Sequence, residues 1–149
     1  MMGEVEFYWK WRDDAPEGTP RKIEDIVGKI PVNISIVEER RRESEAIVFL
    51  FEDNTACKFM HVYDCCETVL IDDVNGDWND LIGTPLLVAE SRTNSDLPPR
   101  EDEYGSESSW TWTFYTFRSI KGSVDVRWYG ESNGYYSEEV DFLGGILEP

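Results

Sequence analysis

The feature that most constrains the fold is a period-two alternation in the last third of the chain. Residues 110–115 read Trp-Thr-Trp-Thr-Phe-Tyr, and residues 124–129 read Val-Asp-Val-Arg-Trp-Tyr. Successive side chains of a β-strand point to opposite faces, so each run predicts a strand. The Lys121-Gly122 pair between the runs predicts a turn. The two strands are therefore expected to form one antiparallel hairpin.

Shorter β-branched or aromatic runs predict further strands. They cover residues 30–37, 46–51, 56–63, 68–74 and 86–89. Asn133-Gly134 is typical of a type I′ hairpin turn, which needs positive φ at both positions, and it predicts a third hairpin strand over residues 135–142. Asp77 is placed to cap one short helix over residues 78–82. Residues 91–109 are rich in Ser, Pro and acids and predict an exposed loop.

These elements predict a mainly β fold. Seven or eight strands with little helix fit a single antiparallel curved sheet, a partial barrel or a small sandwich, with one short helix. Glu52-Asp53-Asn54 supplies turn chemistry between two of the strands. We expect a single β-rich domain over residues 22–149, preceded by an N-terminal extension over residues 1–21.

The chain is strongly acidic. Its 14 Lys and Arg residues are outnumbered by 31 Asp and Glu residues, which gives a net charge of −17. Residues 52–107 hold 14 of the acids and 3 of the bases. Phosphate binding needs clustered cations, so direct binding of nucleic acid or of an anionic membrane is not expected. The 40% hydrophobic and 13% aromatic content is too high for a disordered acidic tail, and the chain is expected to fold.

The sequence favours a cytosolic location. Residues 1–12 lack the apolar core and cleavage pattern of a signal peptide, and no apolar run approaches the ~20 residues that span a bilayer. Cys57, Cys65 and Cys66 form an odd set with two members adjacent. Such a set is a poor disulfide framework and suits a reducing compartment.

The alternation also assigns faces to the hairpin. We expect its buried face to carry Trp110, Trp112, Phe114, Val124, Val126 and Trp128. The opposite face then holds Tyr115, Phe117, Arg127 and Tyr129, with Lys121 near the turn.

An arginine beside aromatic rings is the chemistry of a pocket that stacks a planar group and holds an anion. The face with Arg127 is therefore a candidate binding site. The alternative is a second layer of core, in which Arg127 pairs with Asp125, Glu138 or Glu139.

The one histidine lies among the cysteines, in the order C-x3-H-x3-C-C. Cys57, His61 and Cys65 offer ligands for zinc, although the spacing is not that of a standard zinc knuckle. A catalytic set of His61, Cys65 and Cys66 is the other hypothesis, because a thiol needs a neighbouring base to become a nucleophile. The many acids nearby disfavour the thiolate form, and buried thiols are the commoner case. The sequence has no P-loop or dinucleotide fingerprint, so no cofactor is expected.

Several segments resemble an uncharacterised domain family that is common in tailed bacteriophages and their bacterial hosts. The resemblance rests on HVYDCCE at residues 61–67, WTWTFYTF at 110–117, IKG at 120–122 and RWYGESNGYYSEEV at 127–140. It covers about residues 22–142 and leaves out the first 20 or so. The resemblance implies a small accessory protein of phage type, acting in a bacterial host cytoplasm, with no enzymatic activity to carry over.

Small acidic phage proteins of the anti-restriction and anti-CRISPR kinds present carboxylates at phosphate-like spacing and occupy the DNA groove of a host protein. A strongly negative surface speeds association with such a basic groove. We therefore expect a non-catalytic counter-defence inhibitor whose partner is a host defence or nucleic-acid-binding protein. The acids expected to make this contact are Asp96, Glu101, Asp102, Glu103 and Glu107.

Two other hypotheses stay open. A sponge-like protein would sequester a small nucleotide immune signal with Tyr115, Lys121, Arg127 and Tyr129. A hydrolase or metal site would instead be built from the Cys/His set. The sequence also leaves open whether the chain forms a homo-oligomer.

Overall fold

The computed structural model describes residues 7–8, 17–39, 44–100 and 109–147. These residues form nine β-strands and two 3-10 turns, and they contain no α-helix. The strands are β1 (Phe7–Tyr8), β2 (Pro31–Glu39), β3 (Ser44–Phe51), β4 (Thr55–Met60), β5 (Thr68–Asn75), β6 (Val88–Asn94), β7 (Ser109–Arg118), β8 (Ser123–Ser132) and β9 (Asp141–Leu147). The 3-10 turns cover Ile23–Ile26 and Trp78–Asp80. The predicted mainly β class is confirmed.

The strands form two antiparallel sheets. One sheet has five strands in the order β1-β9-β4-β3-β2, and the other has four in the order β5-β8-β7-β6. The main apolar cluster draws Phe49 and Phe59 from the first sheet and Phe117 and Trp128 from the second, so the core lies between the sheets. The centroid of the Phe49 ring lies 5.0 Å from that of Phe117. Full burial of such a side chain contributes about 1.5–3 kcal/mol to folding.

The predicted β7–β8 hairpin is confirmed, but the faces assigned to β7 are wrong. Tyr115 pairs with Val126, and Phe114 pairs with Arg127. Residues directly opposite in antiparallel strands share a face. Tyr115 and Phe117 therefore point into the core, while Trp112 and Phe114 point outward. Both sets on β7 are aromatic, so alternation alone did not distinguish the inner face from the outer one.

The third hairpin strand is a second wrong prediction. Gly134 has φ +96°, but Asn54 is the one non-glycine of the described residues with positive φ, so Asn133-Gly134 does not form a type I′ turn. Residues 133–140 instead cross to the other sheet, where β9 pairs with β4. This pairing sets the Phe142 ring against Phe59, with the centroids 5.4 Å apart. Phe142 is thus partly buried against the main core, a contact that the predicted hairpin would not make.

Predictions that rest on a few neighbouring residues agree better with the structure. The Asp77 carboxylate caps the second 3-10 turn by accepting the Asn79 N–H at 2.9 Å, although this element is not a full helical turn. Asn54 has φ +66° in the predicted β3–β4 turn. The loop predicted over residues 91–109 is wrong at both ends, because β6 continues to Asn94 and β7 begins at Ser109, and residues 101–108 of it lie outside the described residues.

Candidate functional site

The outer face of the four-stranded sheet carries most of the exposed arginines that the structure describes. Cross-strand pairing builds rows on this face. One row runs Arg92, Phe114, Arg127 and Asp73, and the row beside it runs Glu90, Thr116, Asp125 and Asn75. Cationic and acidic rows thus lie side by side.

Arg127 is held by Asp72 and by an aromatic ring. Its Nε donates to Asp72 Oδ2 at 2.7 Å, and its Nη2 lies 2.7 Å from the same oxygen. The guanidinium carbon lies 5.5 Å from the centroid of Trp112. Asp72 reaches this position because a bulge between Ile71 and Asp73 interrupts the pairing of β5 with β8. The alternative partners considered for Arg127, namely Asp125, Glu138 and Glu139, are not the ones it contacts.

The segment after β6 folds back across this outer face. Trp110 Nε1 donates to the Leu97 carbonyl at 2.8 Å, and Trp112 Nε1 donates to the Pro98 carbonyl at 2.9 Å. Arg100 then reaches Asp72, with Nη1 3.4 Å from Oδ1, and lies over Tyr129 at 5.9 Å from the ring centroid. The segment thereby covers the Trp112 end of the face and leaves the Phe114 end open.

A depression of about 260 Å³ lies at the open end. Its lining residues include two arginines, two acids, an aromatic residue and a threonine, namely Arg92, Arg127, Asp73, Asp125, Phe114 and Thr116. The Arg92 guanidinium lies 5.4 Å from the centroid of Phe114. Two arginines beside one aromatic ring suit a planar anion, but the two carboxylates offset part of the positive charge.

The structure does not gather the predicted set of Tyr115, Lys121, Arg127 and Tyr129 into one pocket. Tyr115 faces the core, where burial, followed by the charge of Asp141, raises the pKa of its hydroxyl well above the usual range. Tyr129 is fully buried, and the segment after β6 covers it with Arg100. Lys121 Nζ donates to the carbonyls of Asn79, at 3.1 Å, and Ile82, at 2.6 Å.

The sequence-based interpretation missed Arg92 and Phe114. The sequence predicts Arg92 in a loop, because Ser91 and the Ser, Asn and Pro residues beyond it obscure the strand character of β6. The alternation on β7 predicts Phe114 on the buried face. The register of β6 against β7, in which Arg92 lies opposite Phe114, is the information that joins them.

Of the acids expected to contact a partner, Asp96 is exposed and its backbone N–H donates to Asn94 Oδ1 at 2.8 Å. Glu101, Asp102, Glu103 and Glu107 lie outside the described residues.

His61 forms a buried ion pair. Its Nε2 lies 2.7 Å from Glu67 Oε2, and its Nδ1 lies 2.6 Å from the carbonyl oxygen of Glu139. Both partners, a carboxylate and a backbone carbonyl, are hydrogen-bond acceptors, so the ring is held from two sides. Burial by itself raises the pKa of the Glu67 carboxyl, but hydrogen bonds from the Cys65 N–H, His61 and the Asp64 N–H lower it to about 2. The pair ties the β4–β5 loop to the crossover of residues 133–140.

The Cys/His set is not assembled into one site. Cys57 is buried in the core, where burial raises the pKa of its thiol, whereas Cys65 and Cys66 are exposed in the β4–β5 loop. Cys65 and Cys66 are bonded to each other, although the odd set of cysteines with two adjacent members predicts a poor disulfide framework. The Cys65 N–H donates to Glu67 Oε1 at 2.9 Å and closes a tight turn. This turn holds the two sulfur atoms close together. Across the part of the chain that the structure describes, no group of three or more side chains is placed to hold a metal ion.

A family model, Domain of unknown function DUF7448, matches residues 24–142. The chain belongs to the DUF7448 family. The match runs from the first 3-10 turn to the beginning of β9 and includes all of the four-stranded sheet, so the outer face and the buried ion pair lie within the DUF7448 domain. No curated protein and no solved structure matches the chain. The described ranges contain no helix that is long and apolar enough to cross a membrane.

Proposed function

We propose that this DUF7448 protein acts by binding and not by catalysis, as a counter-defence inhibitor of phage type. It engages a basic groove on a host defence or nucleic-acid-binding protein and presents carboxylates where that groove accepts phosphates. The phage and bacterial setting of this proposal rests on the motifs quoted above. The observation that carries it is the surplus of unneutralised carboxylate.

Several positive charges of the described residues are engaged in contacts within the fold. Lys29 pairs with Asp53, Lys121 caps backbone carbonyls, and Arg100 and Arg127 share Asp72. Exposed carboxylates lie on loops and on the outer face, among them Asp77, Glu90, Asp96 and Asp125. With a net charge of −17, the field outside the protein is negative.

A negative surface on a stiff β scaffold accelerates association with a cationic partner by about 10- to 1,000-fold. The exposed acids are solvated, so salt screens this gain at distances beyond about 10 Å at 0.1 M. The proposal therefore requires inhibition that weakens as salt rises.

The experiment is a phage challenge of cells that carry one defined restriction or CRISPR system, with and without this protein. We expect the protein to raise the efficiency of plating on at least one such strain. A variant with five neutral substitutions in the 96–107 region should lose this effect: Asp96→Asn, Glu101→Gln, Asp102→Asn, Glu103→Gln and Glu107→Gln. A matched control should keep it: Glu17→Gln, Glu24→Gln, Glu38→Gln, Glu52→Gln and Asp64→Asn. Protection by neither form, or equal loss in both variants, would contradict the proposal.

A second candidate function is sequestration of a nucleotide, favoured by Arg92 and Arg127 beside Phe114 in the outer depression. Calorimetry with ATP and with a cyclic dinucleotide tests it. Binding that is lost in Arg92→Ala and kept in Arg118→Ala, an exposed arginine in another row of the same face, would support it. Absence of heat with both nucleotides would remove this candidate.

A further inference from the structure

A larger concavity lies on the inner side of β6 and β7, at the edge of the sandwich. There the crossover of residues 133–140 stands away from the sheet, and a cleft of about 650 Å³ opens between them. This volume is typical of small-molecule sites, which usually measure about 300–1,000 Å³.

The inner face of β7 changes character along its length. Phe117 packs in the main core, Tyr115 lies at the limit of that core, and Thr113 and Thr111 continue the same face into the cleft. On β6 the inner face likewise passes from Ala89 in the core to Ser91 and Thr93 in the cleft. The apolar face therefore ends in mid-strand and a row of hydroxyls takes its place.

Two of the residues that carry these hydroxyls form the floor of the cleft. Thr113 and Tyr115 are each 4% exposed and both line the cleft. Among the described residues, the hydroxyls that are buried without a hydrogen-bond partner are those of Thr19 and Thr84, so the hydroxyls of Thr113 and Tyr115 are not sealed away from the cleft. A ligand that pairs with such a hydroxyl gains about 0.5–1.5 kcal/mol for each hydrogen bond. The floor of the cleft thus offers both donors and acceptors to a ligand.

The opposite wall of the cleft is fixed in place. Glu138 accepts the Thr111 hydroxyl at 2.8 Å and the Ser132 hydroxyl at 2.5 Å. The backbone of Glu138 lies against Gly130, where a β-carbon would stand 2.8 Å from the Glu138 carbonyl oxygen. The next residue, Glu139, accepts His61 Nδ1 through its carbonyl at 2.6 Å. The wall is anchored on both sides, so the cleft exists before any ligand arrives.

The remaining lining residues set the class of ligand. Tyr135 is 83% exposed at the mouth and packs edge-on against Tyr136, with the centroids 5.0 Å apart. Glu138 and Glu139 supply carboxylates, and the described residues that line the cleft include no cation. An anion is disfavoured at such a site.

We propose that this cleft binds a neutral saccharide. Sugar hydroxyls both donate and accept, as the hydroxyls of Thr113 and Tyr115 do. The carboxylate of Glu139 accepts further sugar hydroxyls, and the exposed ring of Tyr135 covers the apolar C–H face of the sugar. The partner is thus identified by uncharged, hydroxyl-rich chemistry, which differs from the basic protein groove proposed for the acidic surface.

The test is an NMR titration of the ¹⁵N-labelled protein with three neutral trisaccharides, maltotriose, cellotriose and chitotriose, each taken to about 10 mM, which detects binding in the millimolar range. We expect at least one to bind and to shift the amide signals of β6, β7 and residues 133–140. Thr113→Val and Tyr135→Ala should each weaken that binding by about tenfold, the equivalent of about 1.4 kcal/mol. Thr116→Val, on the outer face of the same strand, should leave it unchanged.

Three outcomes would overturn the proposal: no binding of any of the three sugars, binding that shifts signals elsewhere, or unchanged binding in Tyr135→Ala. Spermidine and ATP, titrated in parallel, are expected to leave the cleft signals unshifted. A shift of those signals by spermidine would identify the ligand as a cation instead of a saccharide. A shift by ATP would identify it as an anion. Because Tyr135 is exposed, its replacement keeps the test valid even if Thr113→Val fails to fold.

Discussion

Replacement of Glu67 by glutamine removes the charge from one carboxylate of the buried ion pair. The side chain is fully buried, and its oxygens accept His61 Nε2 at 2.7 Å, the Cys65 N–H at 2.9 Å and the Asp64 N–H at 3.0 Å. These contacts lower the pKa of the carboxyl from 4.5 to about 2. A difference of this size between the unfolded and folded states corresponds to about 3 kcal/mol of stability at neutral pH.

The sign of the pH dependence follows from the lowered pKa. Because the folded protein holds Glu67 ionised, its contribution is fully present above pH ~4.5 and is lost as the pH falls towards 2. At pH 6 we expect the free energy of unfolding of Glu67→Gln to be about 3 kcal/mol lower than that of the wild type. Its melting temperature should be roughly 6–12 °C lower. The difference from the wild type should shrink steadily between pH 4.5 and pH 2.

Urea unfolding followed by tryptophan fluorescence, repeated from pH 2 to pH 6, measures this difference. Glu139→Gln is the matched control, because it makes the same substitution at an exposed side chain beside the same histidine. The control should stay within about 0.5 kcal/mol of the wild type. Equal stability of wild type and Glu67→Gln at pH 6, or a difference that persists at pH 2, would refute the reasoning.

Two further predictions concern packing and thiol chemistry. Gly130→Ala places a methyl group 2.8 Å from the Glu138 carbonyl oxygen, so calorimetry should show about 1–3 kcal/mol of destabilisation, and a neutral outcome would mean that the crossover moves freely. Native alkylation followed by mass spectrometry should modify no cysteine before reduction and two after it, Cys65 and Cys66, while buried Cys57 stays protected. Alkylation of Cys57 in the folded protein, or of Cys65 without reductant, would contradict this arrangement.

The sequence predicted those parts of the fold that depend on short-range patterns. The β7–β8 hairpin follows from alternation, and the turn at Asn54 and the cap at Asp77 follow from local backbone chemistry. The faces of β7 and the destination of β9 depend on register and on pairing between distant strands. Asn133-Gly134 illustrates the limit, since a strong local turn signal does not form a hairpin there and the chain after it crosses to the other sheet, where Phe142 packs against Phe59.

In the candidate sites too, local patterns predicted some residues, while others depend on the pairing of distant strands. Arg127 was found from its neighbours in the sequence, but its partner Asp72 is displaced into contact by a bulge that no local pattern indicated. Arg92 joined the site through strand pairing alone. One wall of the hydroxyl-lined cleft is formed by β6 and β7, and the other by the crossover of residues 133–140. Because the sequence predicts a hairpin strand over most of that crossover, it does not predict that the two walls face each other.

The proposal that surplus carboxylate makes the protein an inhibitor of a basic groove is tested most directly with a purified nuclease from the defence system identified in the phage challenge. The measurement is the rate constant of association between the two proteins as salt rises from about 50 to about 300 mM. We predict a steep fall in that rate constant, and a shallower fall for the variant with neutral residues in the 96–107 region. An association rate that does not change with salt would contradict the account.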